Sequence, residues 1–318
     1  MKTTNYEQRF THPITVVALS LLCTILWGSA FPSIKIGYQL FSLKNNDVSG
    51  TLVFAGIRFF LAGIIVILIH TLQHKKLVLP SREKMKGILW VSLFQTILEY
   101  IFFYVSMAHT TGVKGSIIDA SGFFFVVILA HYFYKNDKFT LNKLIGCLLG
   151  FSGIIIININ GLSLADISFH PIGDGFMLLA ALFFAIGSII SKKVCKNADS
   201  IVVTGYQLGI GGLVLLLLGL SLGGRLNTIS APRLLLLIYM ALLSAISFSL
   251  WTTLSKYNKI SKIAVYNFLT PIFGALLSSV FLGDKLFTWY NLVALILVCL
   301  GIFIVNLVKQ EFKPNSLG

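Results

Sequence analysis

Three ionisable side chains stand where charge is expensive. Arg58 lies in IRFFLAG, Glu99 in QTILEYIFFY and Asp119 in GSIIDASGFFF, each within a run of mostly apolar residues. A lone charge at the centre of a bilayer costs at least about 2.5 to 3.5 kcal/mol on insertion scales, so such residues face protein or water and find partners. At 1.5 Å of rise per residue, Arg58 falls about 10 Å and Glu99 about 13 Å below the same membrane surface, and Asp119 lies nearer that surface. The expectation is an ion pair of Arg58 with Glu99 or with Asp119. Two carboxylates competing for one arginine leave one of them free to carry a proton, which makes Glu99 and Asp119 coupling candidates. An ion pair that only fixes helix packing satisfies the same sequence, and both readings stand at this point.

A second group of residues is suited to an organic ligand. Trp27, Ser29 and Phe31 share one apolar run, Tyr100 and Tyr104 flank Glu99, and Trp251, Tyr266 and Asn267 lie in the second half of the chain. Aromatic walls with a few polar tips fit an amphipathic small molecule, although single aromatics also serve as packing or interfacial residues. Tyr266 and Asn267 precede Thr270-Pro271, where a proline removes a backbone donor and loosens the helix. His109 and His131 have no second histidine at metal spacing and read as interfacial. Cys23, Cys147, Cys195 and Cys299 are scattered singly, so neither a metal site nor a disulfide frame is expected. No GK[ST], HExxH or GxSxG pattern is present, which argues against a nucleotide-driven pump, an enzyme and any cofactor. A receptor or scaffold would need long loops or tails, and the gaps between apolar runs are short.

The elements that must position these residues follow from hydropathy. Hydrophobic residues form 56% of the 318-residue chain and charged residues 11%, whereas a soluble domain is about one quarter charged. The chain reads as an all-α polytopic membrane protein. Ten spans of about 20 residues are expected, from Ile14 to Gly37, Thr51 to Leu72, Gly87 to Ala108, Ser116 to Tyr134, Leu141 to Ile159, Gly175 to Val194, Ile201 to Leu222, Leu234 to Leu254, Ile263 to Leu282 and Trp289 to Val308. The net charge of +14 comes from lysines and arginines in the gaps, so it reads as a topology signal and not as a nucleic-acid patch. Alternate gaps hold the clusters at Lys75 and Lys76, Arg82 to Lys86, Lys135 to Lys143, Lys192 to Lys196 and Lys256 to Lys262, which places both termini in the cytoplasm of a cell-membrane protein.

An internal repeat is also visible. DKFTLNKLIGCLLGFSGIIIIN from Asp137 aligns with DKLFTWYNLVALILVCLGIFIVN from Asp284 after one insertion, placing Asp137, Lys138, Thr140, Gly153 and Asn158 on Asp284, Lys285, Thr288, Gly301 and Asn306. Gly28-Ser29 likewise matches Gly187-Ser188. With five spans per half, the second copy would enter from the opposite face, an arrangement typical of secondary transporters. Gly209, Gly211 and Gly212 read as small packing positions between helices.

WGSAFPSIKIG from Trp27, IRFFLAG from Ile57, the Asp284-Lys285 pair after Pro271 and the Gly301 helix together resemble the drug/metabolite transporter superfamily, EamA type, over nearly the whole chain. The resemblance implies two inverted five-helix repeats, 14–160 and 171–308, around a central cavity. It also implies a non-ATP carrier of small organic metabolites such as amino acids or amphipathic compounds, often directed outward. A passive facilitator or exchanger of the same substrates is the alternative, with the ionisable residues purely structural. Aspartate replaces the family's usual glutamate at Asp137 and Asp284, and Phe123 to Phe125 stand where a proline is common, which predicts a straighter fourth helix.

Overall fold

The computed structural model describes residues 2–44, 47–110, 112–157, 169–226, 230–282 and 289–307. Every regular element among them is helical. A polar helix, α1 (Lys2–Thr11), precedes α2 (Pro13–Phe41) and α3 (Val48–His74). The third long helix is composite: α4 (Arg82–Ser92), a π-helical segment (Leu93–Leu98) and α5 (Glu99–Met107). Next come α6 (Gly112–Asp119), α7 (Ser121–Phe133) and α8 (Leu141–Ile157), then a π-helical turn (Pro171–Gly175) that leads into α9 (Phe176–Cys195). The chain ends with α10 (Ser200–Ser221), α11 (Ala231–Tyr257), α12 (Ile260–Ala264), a 3-10 turn (Val265–Phe268), α13 (Leu269–Leu282) and α14 (Trp289–Asn306).

Seven of these helical stretches are long and apolar enough to cross a membrane: Pro13–Phe41, Val48–His74, Arg82–Met107, Pro171–Cys195, Ser200–Ser221, Ala231–Tyr257 and Ile260–Phe281. Three shorter apolar helices accompany them, at Ile117–Phe133, Leu141–Ile156 and Leu292–Asn306. Large apolar side chains such as Leu72, Trp90 and Phe303 point outward, as they do when lipid is the solvent.

Helix ends follow local chemistry. Pro13 occupies the first turn of α2, where its missing donor costs nothing, and Ser42 closes that helix in a left-handed conformation at φ 55. Asp47 caps α3 by accepting from Gly50 N at 2.8 Å, and Asp199 caps α10 by accepting from Ile201 N at 2.8 Å. The fourth apolar helix is interrupted at a single residue. It is divided at Ala120, where Phe123 N donates to the Ala120 carbonyl at 3.3 Å, and Phe123 and Phe124 wedge edge-on against Phe268.

Two helix pairs hold the bundle together. α3 lies along α10, and α8 lies along α14, with the most extensive contacts between any two elements. A Cβ added to Gly63 would collide with the backbone of Gly209, one on Gly212 with the backbone of Phe60, and one on Gly146 would lie 2.6 Å from the Gly301 carbonyl oxygen. Main chain thus meets main chain, the small-residue packing that membrane helices use in place of a hydrophobic drive.

At the lysine-rich end of the bundle, a buried polar cluster joins the α7–α8 loop to α12. Lys143 Nζ donates to Asp137 Oδ1 at 2.5 Å and to the Lys138 carbonyl at 2.6 Å. Asp137 also accepts from Ser261 N at 3.0 Å and from Ser261 Oγ. Asp137 is 1% exposed and Lys143 6%. Burial alone would raise the Asp137 pKa, but hydrogen bonds from Lys143 and Ser261 outweigh it and hold the carboxyl below its ordinary range. Its counterpart in the repeat register, Asp284, lies outside the described residues, as do Lys285, Thr288 and Asn158.

Candidate functional site

The π-helical segment is the first thing that shapes the site. Gln207 Nε2 on α10 donates to Thr96 Oγ1 at 2.7 Å, Ser92 Oγ donates to the Gln207 carbonyl at 3.0 Å, and Gln95 Nε2 donates to Ser188 Oγ on α9 at 3.3 Å. These bonds keep Gln95 and Thr96 on the packed side. The wider turn then carries the next face of the helix, Glu99, Tyr100, Phe103 and Tyr104, to the edge of a cavity.

That cavity offers about 160 Å³ to the centre of a water-sized sphere, roughly ten times the space one water needs. Trp27, Phe31 and Ile34 from α2 line one wall, Phe123 and Phe184 from α7 and α9 another, and Phe248 comes from α11. Arg58, Glu99, Asp119, Asn267 and Thr270 are its polar lining residues, beside the amphipathic Trp27, Tyr100 and Tyr104. Both halves of the chain contribute.

The sequence-predicted residues divide cleanly. Trp27, Phe31, Arg58, Glu99, Tyr100, Tyr104, Asp119 and Asn267 all line the cavity. Ser29, Trp251 and Tyr266 do not. Ser29 Oγ donates to the Leu26 carbonyl and lies 2.7 Å from the Tyr239 hydroxyl, on the outside of α2. Trp251 is 5% exposed and packs edge-on behind Trp27 with ring centroids 5.0 Å apart, and Tyr266 is buried in the same apolar cluster. His109 and His131 are both satisfied locally, by the Val105 carbonyl and by Phe139 N.

The expected ion pair is not formed. Among the described residues no carboxylate oxygen lies within 4.0 Å of the Arg58 guanidinium. Its Nε donates to Ser244 Oγ on α11 at 2.7 Å, and its Cζ sits 4.9 Å from the centroid of the Phe59 ring. A hydroxyl and an aromatic face therefore take the place of the carboxylate as packing partners of a side chain only 3% exposed. Glu99 Oε2, Asn267 Oδ1 and Thr270 Oγ1 are all shielded from solvent and have no hydrogen-bond partner. The lining thus includes an arginine with no carboxylate at salt-bridge distance and three residues with a side-chain oxygen that makes no hydrogen bond.

Phe103, Phe123, Phe184, Phe248 and the Thr270 side chain line the cavity without having been singled out by sequence. Thr270 carried a signal in the Thr270-Pro271 pair, read there for its backbone; the phenylalanines carried none that separates a cavity wall from a lipid-facing surface. The helix break before Pro271 is present as the 3-10 turn Val265–Phe268. No group of three or more His, Cys, Asp or Glu suited to a metal is found among the described residues.

The chain is 28% identical over 312 residues to the uncharacterized transporter YvbV of Bacillus subtilis, covering 96% of each. It is 24% identical over 291 residues to a chloroplastic WAT1-related protein of Arabidopsis thaliana, covering 88% of this chain and 66% of that one. A solved crystal structure at 15% identity covers 95% of this chain and all of its own with a TM-score of 0.75, so the fold is shared. The model of the EamA-like transporter family matches residues 14–159 and again 171–307, and the chain belongs to that family.

Proposed function

We propose that the chain is a secondary, non-ATP transporter of small organic metabolites such as amino acids or amphipathic compounds, working by alternating access. The observation that carries this reading is the cavity itself, walled by aromatics and lined by Arg58, Glu99 and Asp119 with no salt bridge between them. Arg58 is suited to an anionic end of a substrate, Glu99 and Asp119 to a cationic end or a coupling proton, and Trp27, Phe31, Tyr100 and Tyr104 to an apolar body.

The proposed frame is two inverted five-helix repeats, 14–160 and 171–308, in which the three shorter apolar helices complete ten spans. The two glycine-tight pairs support it: in that register α3 and α10 are equivalent helices of the two halves, as are α8 and α14. Lysine clustering supports cytoplasmic termini in a cell membrane, and the outward direction of transport rests on the family resemblance.

Uptake of labelled phenylalanine and of other amphipathic metabolites into vesicles carrying the purified chain tests the proposal. An imposed pH gradient drives accumulation by the native protein, while Glu99→Gln transports without responding to the gradient. Native transport that ignores the gradient would assign the protein to facilitated diffusion or exchange, with Arg58, Glu99 and Asp119 structural. A native protein that moves none of the panel would refute transport of this substrate class.

A further inference from the structure

The lysine-rich end of the bundle does not turn all its lysines to water. Lys193 and Lys196 are exposed, whereas Lys192 on α9 is half-buried, and its Nζ donates to the Ser255 carbonyl at 2.5 Å and to the Asn258 carbonyl. Both acceptors lie at the C-terminal end of α11, where the last carbonyls of a helix have no partner within it and carry its negative pole. Lys256 on α11 reaches the other way, donating from Nζ to the Ala198 carbonyl at 2.9 Å, in the turn after α9. The two contacts are reciprocal, and among the described residues neither lysine has a carboxylate oxygen within 4.0 Å. Phe184 on α9 and Phe248 on α11 line the cavity, and each precedes the lysine of its own helix by eight residues, about 12 Å along the axis. Between the two levels Ile189, Trp251 and Leu254 are buried, so an apolar floor separates the cavity from the lysine pair. Elsewhere the two helices have different neighbours: α9 packs mainly on α7 and the composite third helix, and α11 mainly on α2 and α3.

We infer that Lys192 and Lys256 form a clasp that shuts the cavity toward the lysine-rich end, and that parting of this clasp is the step that opens the cavity there. The inference rests on the alternating-access reading for the opening, and on the bonds between α9 and α11 for the closure. Tyr134 aims the first lysine: its hydroxyl donates to the Ile189 carbonyl at 2.7 Å, and its ring centroid lies 5.6 Å from Lys192 Nζ. A hold on carbonyls suits a gate because it has no buried counter-charge to leave behind. When the clasp parts, each ammonium moves on its flexible stem into water, and the helix-end carbonyls meet water as well. Asp137 ties the α7–α8 loop to α12 and not to α11, so that fastening stays whole while α11 turns about Asn258, whose extended backbone (φ -117, ψ 166) ends the helix.

The test reads the cavity from each side of the membrane. Phe184→Cys, in the full-length chain with its native cysteines replaced, is labelled in sealed vesicles of known orientation by a membrane-impermeant maleimide, and Phe248→Cys repeats the reading from the facing wall. With both lysines present, labelling from the lysine-rich side is slow. Lys192→Met and Lys256→Met each speed it, and together they do so about tenfold or more, while labelling from the opposite side slows as the population shifts. Lys192→Arg, which keeps donors for both carbonyls, stays within about twofold of native. The inference is overturned if the double variant, eluting as the native peak in size exclusion, labels from the lysine-rich side at the native rate, or if it labels faster from both sides alike. A cross-link separates the clasp from the transport reading. Lys192→Cys with Asn258→Cys takes up labelled phenylalanine until a short cleavable bis-thiol reagent joins the two positions, and cleavage restores uptake. Uptake that survives the cross-link overturns the gate and leaves transport, whereas a native chain that takes up none of the labelled panel overturns transport of that class and leaves the sided labelling to decide the closure.

Discussion

Asp137 and Glu99 are both acidic side chains enclosed by packed helices, and their surroundings differ in almost every respect. Asp137 receives Lys143 Nζ, Ser261 N and Ser261 Oγ, so its oxygens are saturated and its charge is matched. Glu99 has an oxygen that meets nothing, beside a cavity whose arginine bonds to a serine. A satisfied buried pair ties two elements together, whereas an unsatisfied one costs stability that a structural role alone does not repay. The difference separates a fastening at the lysine-rich end from the cavity proposed above as the substrate site.

Exchange of the two roles by mutation is the sharpest way to break this comparison. The largest effect is expected for Asp137→Leu, which strands the Lys143 charge in a buried position and costs about 3 to 5 kcal/mol of stability, read as a lowered melting temperature of the purified chain. Ligand affinity of whatever folds is expected to stay within about twofold of native, because no cavity group is touched. Gly63→Leu comes next. Any side chain there meets the Gly209 backbone, so α3 and α10 must separate at a cost of about 1 to 3 kcal/mol or more, visible as loss of the native peak in size exclusion.

Glu99→Gln sharpens the contrast from the other side. It is expected to leave the melting temperature unchanged or higher while removing the pH-gradient response of transport; a large drop in stability instead would make Glu99 a second fastening. The acid limb discriminates further. Because the Asp137 carboxyl is held below its ordinary value, its contribution is complete above about pH 4 and fades as pH falls through the folded value, so thermal stability of the native chain declines there and that of Asp137→Asn does so less. Smallest is Ser261→Ala, which removes one hydroxyl donor but keeps the backbone donor, for about 1 kcal/mol.

Hydropathy made the spanning stretches and the aromatic, sparsely charged interior legible, because lipid allows few other solutions for so apolar a chain. It underestimated α2, which runs on to Phe41 before the left-handed Ser42, a cap that no glycine or proline announces. Sequence brought Arg58, Glu99 and Asp119 to one region but assigned the wrong partner to the arginine, since Ser244, 186 residues away, is chosen by how α11 crosses α3. Ser29, Trp251 and Tyr266 were sorted by residue type, and type does not state the face of a helix. The turn at Leu93–Leu98 could not be foreseen either, because it depends on Gln207 and Ser188 from two other helices.

The seams between α3 and α10 and between α8 and α14 limit how the molecule is able to move. With main chain against main chain at Gly63–Gly209, Phe60–Gly212 and Gly146–Gly301, each pair is expected to travel as a single strut, and a disulfide placed across either one should leave vesicle transport intact. On the proposed alternating-access reading, exposing the cavity to one side and then the other would be a swing of struts about one another, with the flexing at helices broken along their length, at Ala120 and ahead of Pro271.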